Sequence, residues 1–119
     1  MAKSPRFHQI VAEAKRRIRE VSVDEASQQQ QAGALLVDVR EAEDFGKEHA
    51  QGAVHLSRGT IELKIEEQAP DMATPIVCYC GGGSRSALVV ESLQRMGYTQ
   101  AASVTGGFKA WKEQGLATE

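Results

Sequence analysis

The most constraining stretch is residues 75–90, PIVCYCGGGSRSALVV. An apolar, β-branched run enters a cysteine, passes through three glycines and opens into a helical pattern. A strand that turns directly into a helix belongs to alternating α/β architecture, where the strands lie parallel and the helices cover both faces. In an open sheet of that kind, ligands sit beyond the carboxyl ends of the strands, and Cys80 falls at that edge. Gly81, Gly82 and Gly83 are free to adopt positive φ and to curl the backbone so that successive N–H groups point inward. The helix starting near Ser84 adds the positive end of its dipole, and Arg85 adds a permanent cation. A thiol ordinarily titrates near ~8.5, and such surroundings lower that value. The stretch is not a nucleotide-binding P-loop, because no Gly-Lys-Ser/Thr follows.

The rest of the chain alternates in the same way. Ser22 and Glu25 form a capping box that starts a helix running to about Ala32, and Gly33 ends it. Residues 34–39 read as a buried parallel strand. A short helix over 41–48 turns Phe45 inward, and 52–56 form a second strand. Residues 58–68 read as helix, 75–79 as the third strand, 86–96 as a helix closed by Gly97, 101–104 as the fourth strand and 107–114 as a last helix with Phe108 and Trp111 inside. In front of these, residues 5–20 carry Phe7, Ile10, Val11, Ala14 and Ile18 at spacings of three and four. This predicts an added N-terminal amphipathic helix, either packed on the domain or docking a partner or second copy. The organisation is therefore an extension over 1–19 and one domain over 20–119.

Composition limits the functions open to the chain. Its 119 residues suit one domain with a real core, and 41% hydrophobic with 25% charged residues is ordinary globular usage. A net charge of -2 points away from nucleic acid and from anionic membranes. No targeting segment or membrane span is expected. Cys78 and Cys80 flank one residue of an extended segment, so a structural disulfide is implausible. Two thiols and scattered histidines give no metal site, and no cofactor is expected. Reduced thiols fit a cytoplasmic setting.

Five segments carry a resemblance to the rhodanese-like domain family over roughly residues 20–117. Leu36 to Glu41 resembles its Asp-Val-Arg segment. His49 with Gly52, Ala53 and Val54 resembles its His-x-x-Gly-Ala segment. Residues 80–86, CGGGSRS, resemble its active-site loop. Met96-Gly97-Tyr98 and residues 104–111, VTGGFKAW, resemble its closing segments. The resemblance implies a three-layer α/β domain around a parallel sheet, with Cys80 as catalytic nucleophile and Gly81, Gly82, Gly83, Ser84 and Arg85 binding the transferred sulfur. It implies a sulfurtransferase that carries sulfur as a persulfide, from thiosulfate or a persulfide donor to a thiol or other nucleophile, with a protein donor or acceptor as further candidates. Glu48, Ala50 and Gln51 depart from the family pattern at a surface turn. Gly81 and Gly82 replace the cationic or bulky residues of many relatives, which implies an open mouth that admits larger donors.

Arg58 follows a strand and is expected to steer anions at the same edge. Cys78 reads as a buried apolar residue, Asp38 and Arg40 as a structural ion pair, His49 and His55 as hydrogen-bonding structural groups. Two other functions use related features. A Cys-based phosphatase or arsenate reductase resembles this loop, but those cousins carry five residues between Cys and Arg, against four here. A non-catalytic interaction module goes with a lost cysteine, and Cys80 is present.

Overall fold

The structure, a computed structural model, describes residues 4–119. The first three residues of the expected 1–19 extension lie outside them, and with them part of the stretch read for a targeting signal. The chain runs α1 (Pro5–Arg17), β1 (Arg19–Val21), α2 (Val23–Gln31), β2 (Leu35–Asp38), α3 (Ala42–Lys47), β3 (Val54–His55), α4 (Ile61–Gln68), β4 (Ile76–Tyr79), α5 (Ser84–Met96), β5 (Ala101–Val104) and α6 (Gly107–Glu113). The strands form one sheet in the order β1-β5-β4-β2-β3, and every pairing is parallel.

Side-chain alternation along the strands divides the interior in two. Ile76 and Cys78 of β4 join Ile61 and Ile65 of α4 and Val89, Val90 and Leu93 of α5 on one face. Val77 and Tyr79 point the other way, to Val23 and Ala26 of α2 and Phe108 and Trp111 of α6. The result is the expected three-layer arrangement, with β4 in the centre and buried on both sides. Among the described residues, no helix is long and apolar enough to cross a membrane.

The N-terminal segment departs from its periodicity. The helix stops at Arg17, Ile18 is extended, and residues 19–21 become an edge strand beside β5. Ile18 keeps the apolar spacing but reaches the α5-side core from extended backbone, so the pattern runs on after the helix has ended. Arg19 and Glu20 face solvent, and such charges are what an exposed sheet edge favours. Val11 and Ala14 are buried against α5, whereas Ile10, expected on the same stripe, is exposed.

The Ser22 capping box is present as read: Glu25 N–H donates to Ser22 Oγ at 3.1 Å, and Ser22 N–H donates to Glu25 Oε1 at 2.9 Å. At the carboxyl edge of β2 the Asp38 carboxylate is fully buried and fully partnered. Arg40 Nη2 donates to it at 2.7 Å and Tyr79 Oη at 2.7 Å, while the same Arg40 nitrogen reaches the Glu48 carbonyl. A buried charge is tolerable only when paired and hydrogen-bonded in this way. His55 bonds the Arg40 carbonyl and His49 the Phe45 carbonyl, so both are structural. These ties hold together the loops after β2 and before β3.

Candidate active site

Cys80 stands one residue past β4, at the centre of the sheet's carboxyl edge. The backbone turns there through Gly83, which has φ +102° and caps α5. A Cβ at Gly83 would lie 3.2 Å from the Gly106 nitrogen and 3.3 Å from the Val104 carbonyl oxygen, so both conformation and space demand glycine. Gly81 and Gly82 do not share that conformation; positive φ is confined to Gly83 in this loop. The left-handed cap lets α5 begin at Ser84, as the glycine turn implied and two residues before the 86–96 span read along the chain.

The loop folds around the sulfur because its carbonyls are engaged elsewhere. Phe108 N–H donates to the Cys80 carbonyl at 2.7 Å, and Lys109 N–H to the Gly81 carbonyl at 3.2 Å. The first turn of α6 thus holds the acceptors outward and leaves donors facing in. Gly83 N–H reaches Cys80 Sγ at 3.1 Å and Ser86 N–H at 3.4 Å. The thiol lies 3.5 Å from Ser86 Oγ, which is 2.7 Å from Ser103 Oγ on β5. As a thiol, Cys80 donates to Ser86; once ionised it accepts from the Ser86 hydroxyl, which in turn accepts from Ser103.

Burial of Cys80 works against ionisation. The Ser86 hydroxyl and the N–H groups of Ser86, Gly83 and Gly82 outweigh it, and the thiol sits below its ordinary range. A lowered pKa means that thiolate persists to lower pH, so iodoacetamide should alkylate Cys80 rapidly below the ~8.5 of a free thiol. Ser86→Ala should move the alkylation profile to higher pH by removing a donor to the anion, and Ser103→Ala should move it the same way by less. Profiles identical to wild type would mean that the hydroxyl pair does not serve the sulfur. Cys78 is a contrast: complete burial among apolar side chains pushes its thiol up to about 12.

A pocket of about 500 Å³ opens over the sulfur, lined by Phe7, His8, Cys80, Gly82, Ser84 and Arg85. Of the residues singled out in the sequence, Gly82, Ser84 and Arg85 line this pocket with Cys80, and Gly83 donates to its sulfur. Arg85 touches the pocket rather than the sulfur, its Nη2 lying 3.6 Å from where a Gly81 Cβ would stand. Arg58 lines a different hollow, with Glu62 of α4 and Leu88, Val89 and Ser92 of α5. Five contributors were not assigned from the sequence: Phe7 and His8, which come from the N-terminal helix, Ser86, Ser103, and the α6 turn at Gly107. Ser103 left a trace, since one hydroxyl in an otherwise apolar buried strand requires a partner.

A central strand ending in a buried cysteine, an inward ring of donors and a helix N-terminus define a class: α/β domains that stabilise an anionic sulfur at a loop. The family model for the rhodanese-like domain matches residues 22–114, and the chain belongs to that family. A protein of unknown function from Rhodopseudomonas palustris, described as a possible tyrosine phosphatase, is 28% identical with a TM-score of 0.84, covering 100% of this chain and 99% of that one. The polysulfide-sulfur transferase of Wolinella succinogenes is 26% identical with a TM-score of 0.81, covering 95% and 86%. A thiosulfate sulfurtransferase from Pseudomonas aeruginosa is 25% identical with a TM-score of 0.83; the match covers 95% of this chain and 22% of that longer one.

Proposed function

We propose that this chain is a sulfurtransferase that carries sulfane sulfur as a persulfide on Cys80. The observation that carries the reading is the set of N–H and hydroxyl donors converging on one sulfur. Such donors stabilise both the attacking thiolate and the anionic terminal sulfur of a persulfide. With thiosulfate, the Cys80 thiolate attacks the outer sulfur; the new S–S bond forms as the old one breaks, and sulfite leaves with the bonding pair. With an organic persulfide R–S–SH, attack on the terminal sulfur expels R–S⁻. An acceptor thiolate then takes that sulfur from Cys80, which departs as thiolate. The donors that hold the Cys80 thiol below its ordinary range favour the thiolate nucleophile without a side-chain general base. A reducing compartment such as the cytoplasm would keep both cysteines as thiols.

A phosphatase reading draws on the same loop and on the description of the R. palustris protein. Only Gly81, Gly82, Gly83 and Ser84 separate Cys80 from Arg85, and a ring that short suits one sulfur atom better than a tetrahedral oxyanion. The test is intact-mass spectrometry of reduced protein before and after exposure to thiosulfate or polysulfide, with p-nitrophenyl phosphate hydrolysis assayed in parallel. A gain of one sulfur atom without phosphate release is expected. Phosphate release without the sulfur adduct would replace this reading with the phosphatase.

A further inference from the structure

We infer that helix α1 forms a wall of the active site and selects carbon-bearing persulfides, small organic R–S–S⁻ donors with a carboxylate, over inorganic thiosulfate. The inference rests on the sulfurtransferase reading and names the substrate class for the same pocket.

The family model matches from residue 22, so α1 lies outside the segment it describes. Nevertheless Phe7 and His8 share the pocket with Cys80. Their position is fixed from both ends of the helix. At its start, Phe7 N–H donates to the Ser4 cap at 3.3 Å, and Pro5 occupies the first turn. Further along, Val11 and Ala14 are buried, and Arg17 Nη1 donates to Glu91 Oε2 of α5 at 3.0 Å. The Phe7 ring is half-buried and meets the His8 ring edge-on at 6.3 Å.

The shape and chemistry of the pocket fit an organic donor. A volume of about 500 Å³ falls within the roughly 300–1,000 Å³ of small-molecule sites and leaves most of the space unused by a five-atom dianion. Thiosulfate has no carbon to place against Phe7. A Cβ at Gly82 would meet nothing within 4 Å, so there is room beside the sulfur for a substituent. The methylene of a thiol-derived persulfide can lie on the Phe7 ring, and a carboxylate beyond it can meet the Arg85 guanidinium. His8 offers a ring nitrogen to the remaining polar groups. The transfer step is the one given above, with R–S⁻ leaving along this wall.

The test compares glutathione persulfide with thiosulfate as donors, cyanide being the acceptor for both, in wild type, Phe7→Ala and His8→Ala. Phe7→Ala should lower the ratio of kcat/KM for glutathione persulfide to that for thiosulfate by about tenfold, the effect of uncovering part of an aromatic contact. His8→Ala, at an exposed position where folding is not at stake, should lower it by about threefold. Calorimetric titration with S-methylglutathione, which cannot transfer sulfur, should show weaker binding in both variants. The same ratio in all three proteins, with unchanged S-methylglutathione binding, overturns the inference while sulfur transfer stands. If no donor loads Cys80 yet S-methylglutathione binding depends on Phe7, the wall is real and the sulfurtransferase reading is the one that fails.

Discussion

Cys80→Ser yields a protein that takes up no sulfur from thiosulfate or polysulfide and shows no turnover, while Cys78→Ser retains both. The two thiols share a strand face, two residues apart, but their surroundings are opposite. Cys80 receives N–H groups at 3.1 and 3.4 Å and opens to a pocket. Cys78 is wholly buried among aliphatic side chains of α4 and α5. With its thiol pushed up to about 12, Cys78 stays a thiol at pH 7. A serine oxygen at position 80 is a far weaker nucleophile at neutral pH and cannot hold a persulfide. Intact mass and steady-state rates on both variants decide the matter. Sulfur uptake by Cys80→Ser, or its loss in Cys78→Ser alone, would reverse the assignment.

Gly107→Ala should cost about 3 kcal/mol of stability, lowering Tm by roughly 10–15 °C, and should slow Cys80 persulfide formation by about a hundredfold. Gly107 has φ +56°, and a Cβ there would drive into the Cys80 carbonyl oxygen and the Gly81 backbone. Those are the groups that α6 holds outward through Phe108 and Lys109. A methyl group therefore pushes on the Cys80 loop from behind, and the ring of donors loses its register on the sulfur. Gly82→Ala is the comparison for stability, since its position has neither positive φ nor a neighbour within 4 Å; it should stay within about 1 kcal/mol of wild type. Thermal unfolding and the persulfide rate measure both effects. Equal melting of the two variants would show that the α6 turn does not brace the loop.

What could be read from the sequence was what local pattern encodes. The β4 apolar run, the glycine turn and the α5 period sit within sixteen consecutive residues and fix Cys80 at a strand end. The Ser22 box is equally local. β1 was out of reach because two of its three residues are charged and solvent-facing, and only pairing with β5 makes it a strand. The pocket wall was hidden for a different reason: Phe7 lies 73 positions from Cys80, and only the packing of α1 on α5 brings them together. Arg58 shows the converse. A loop at the correct edge of the sheet suggested a place at the mouth, but the following helix carries its lining onto α5. The inward N–H groups expected around the thiol are present, and they are joined by a buried hydroxyl pair, whose contribution depends on angles that residue types do not reveal.

Neither cysteine reaches the molecular surface: Cys80 is 1% exposed and Cys78 not at all. Two folded copies accordingly have no sulfur to offer one another. Ageing in air then acts on single molecules, by stepwise oxygenation at the bottom of one pocket, rather than by stitching copies into covalent chains. A small oxidant reaches Cys80 through the pocket, whereas Cys78 is sealed from it.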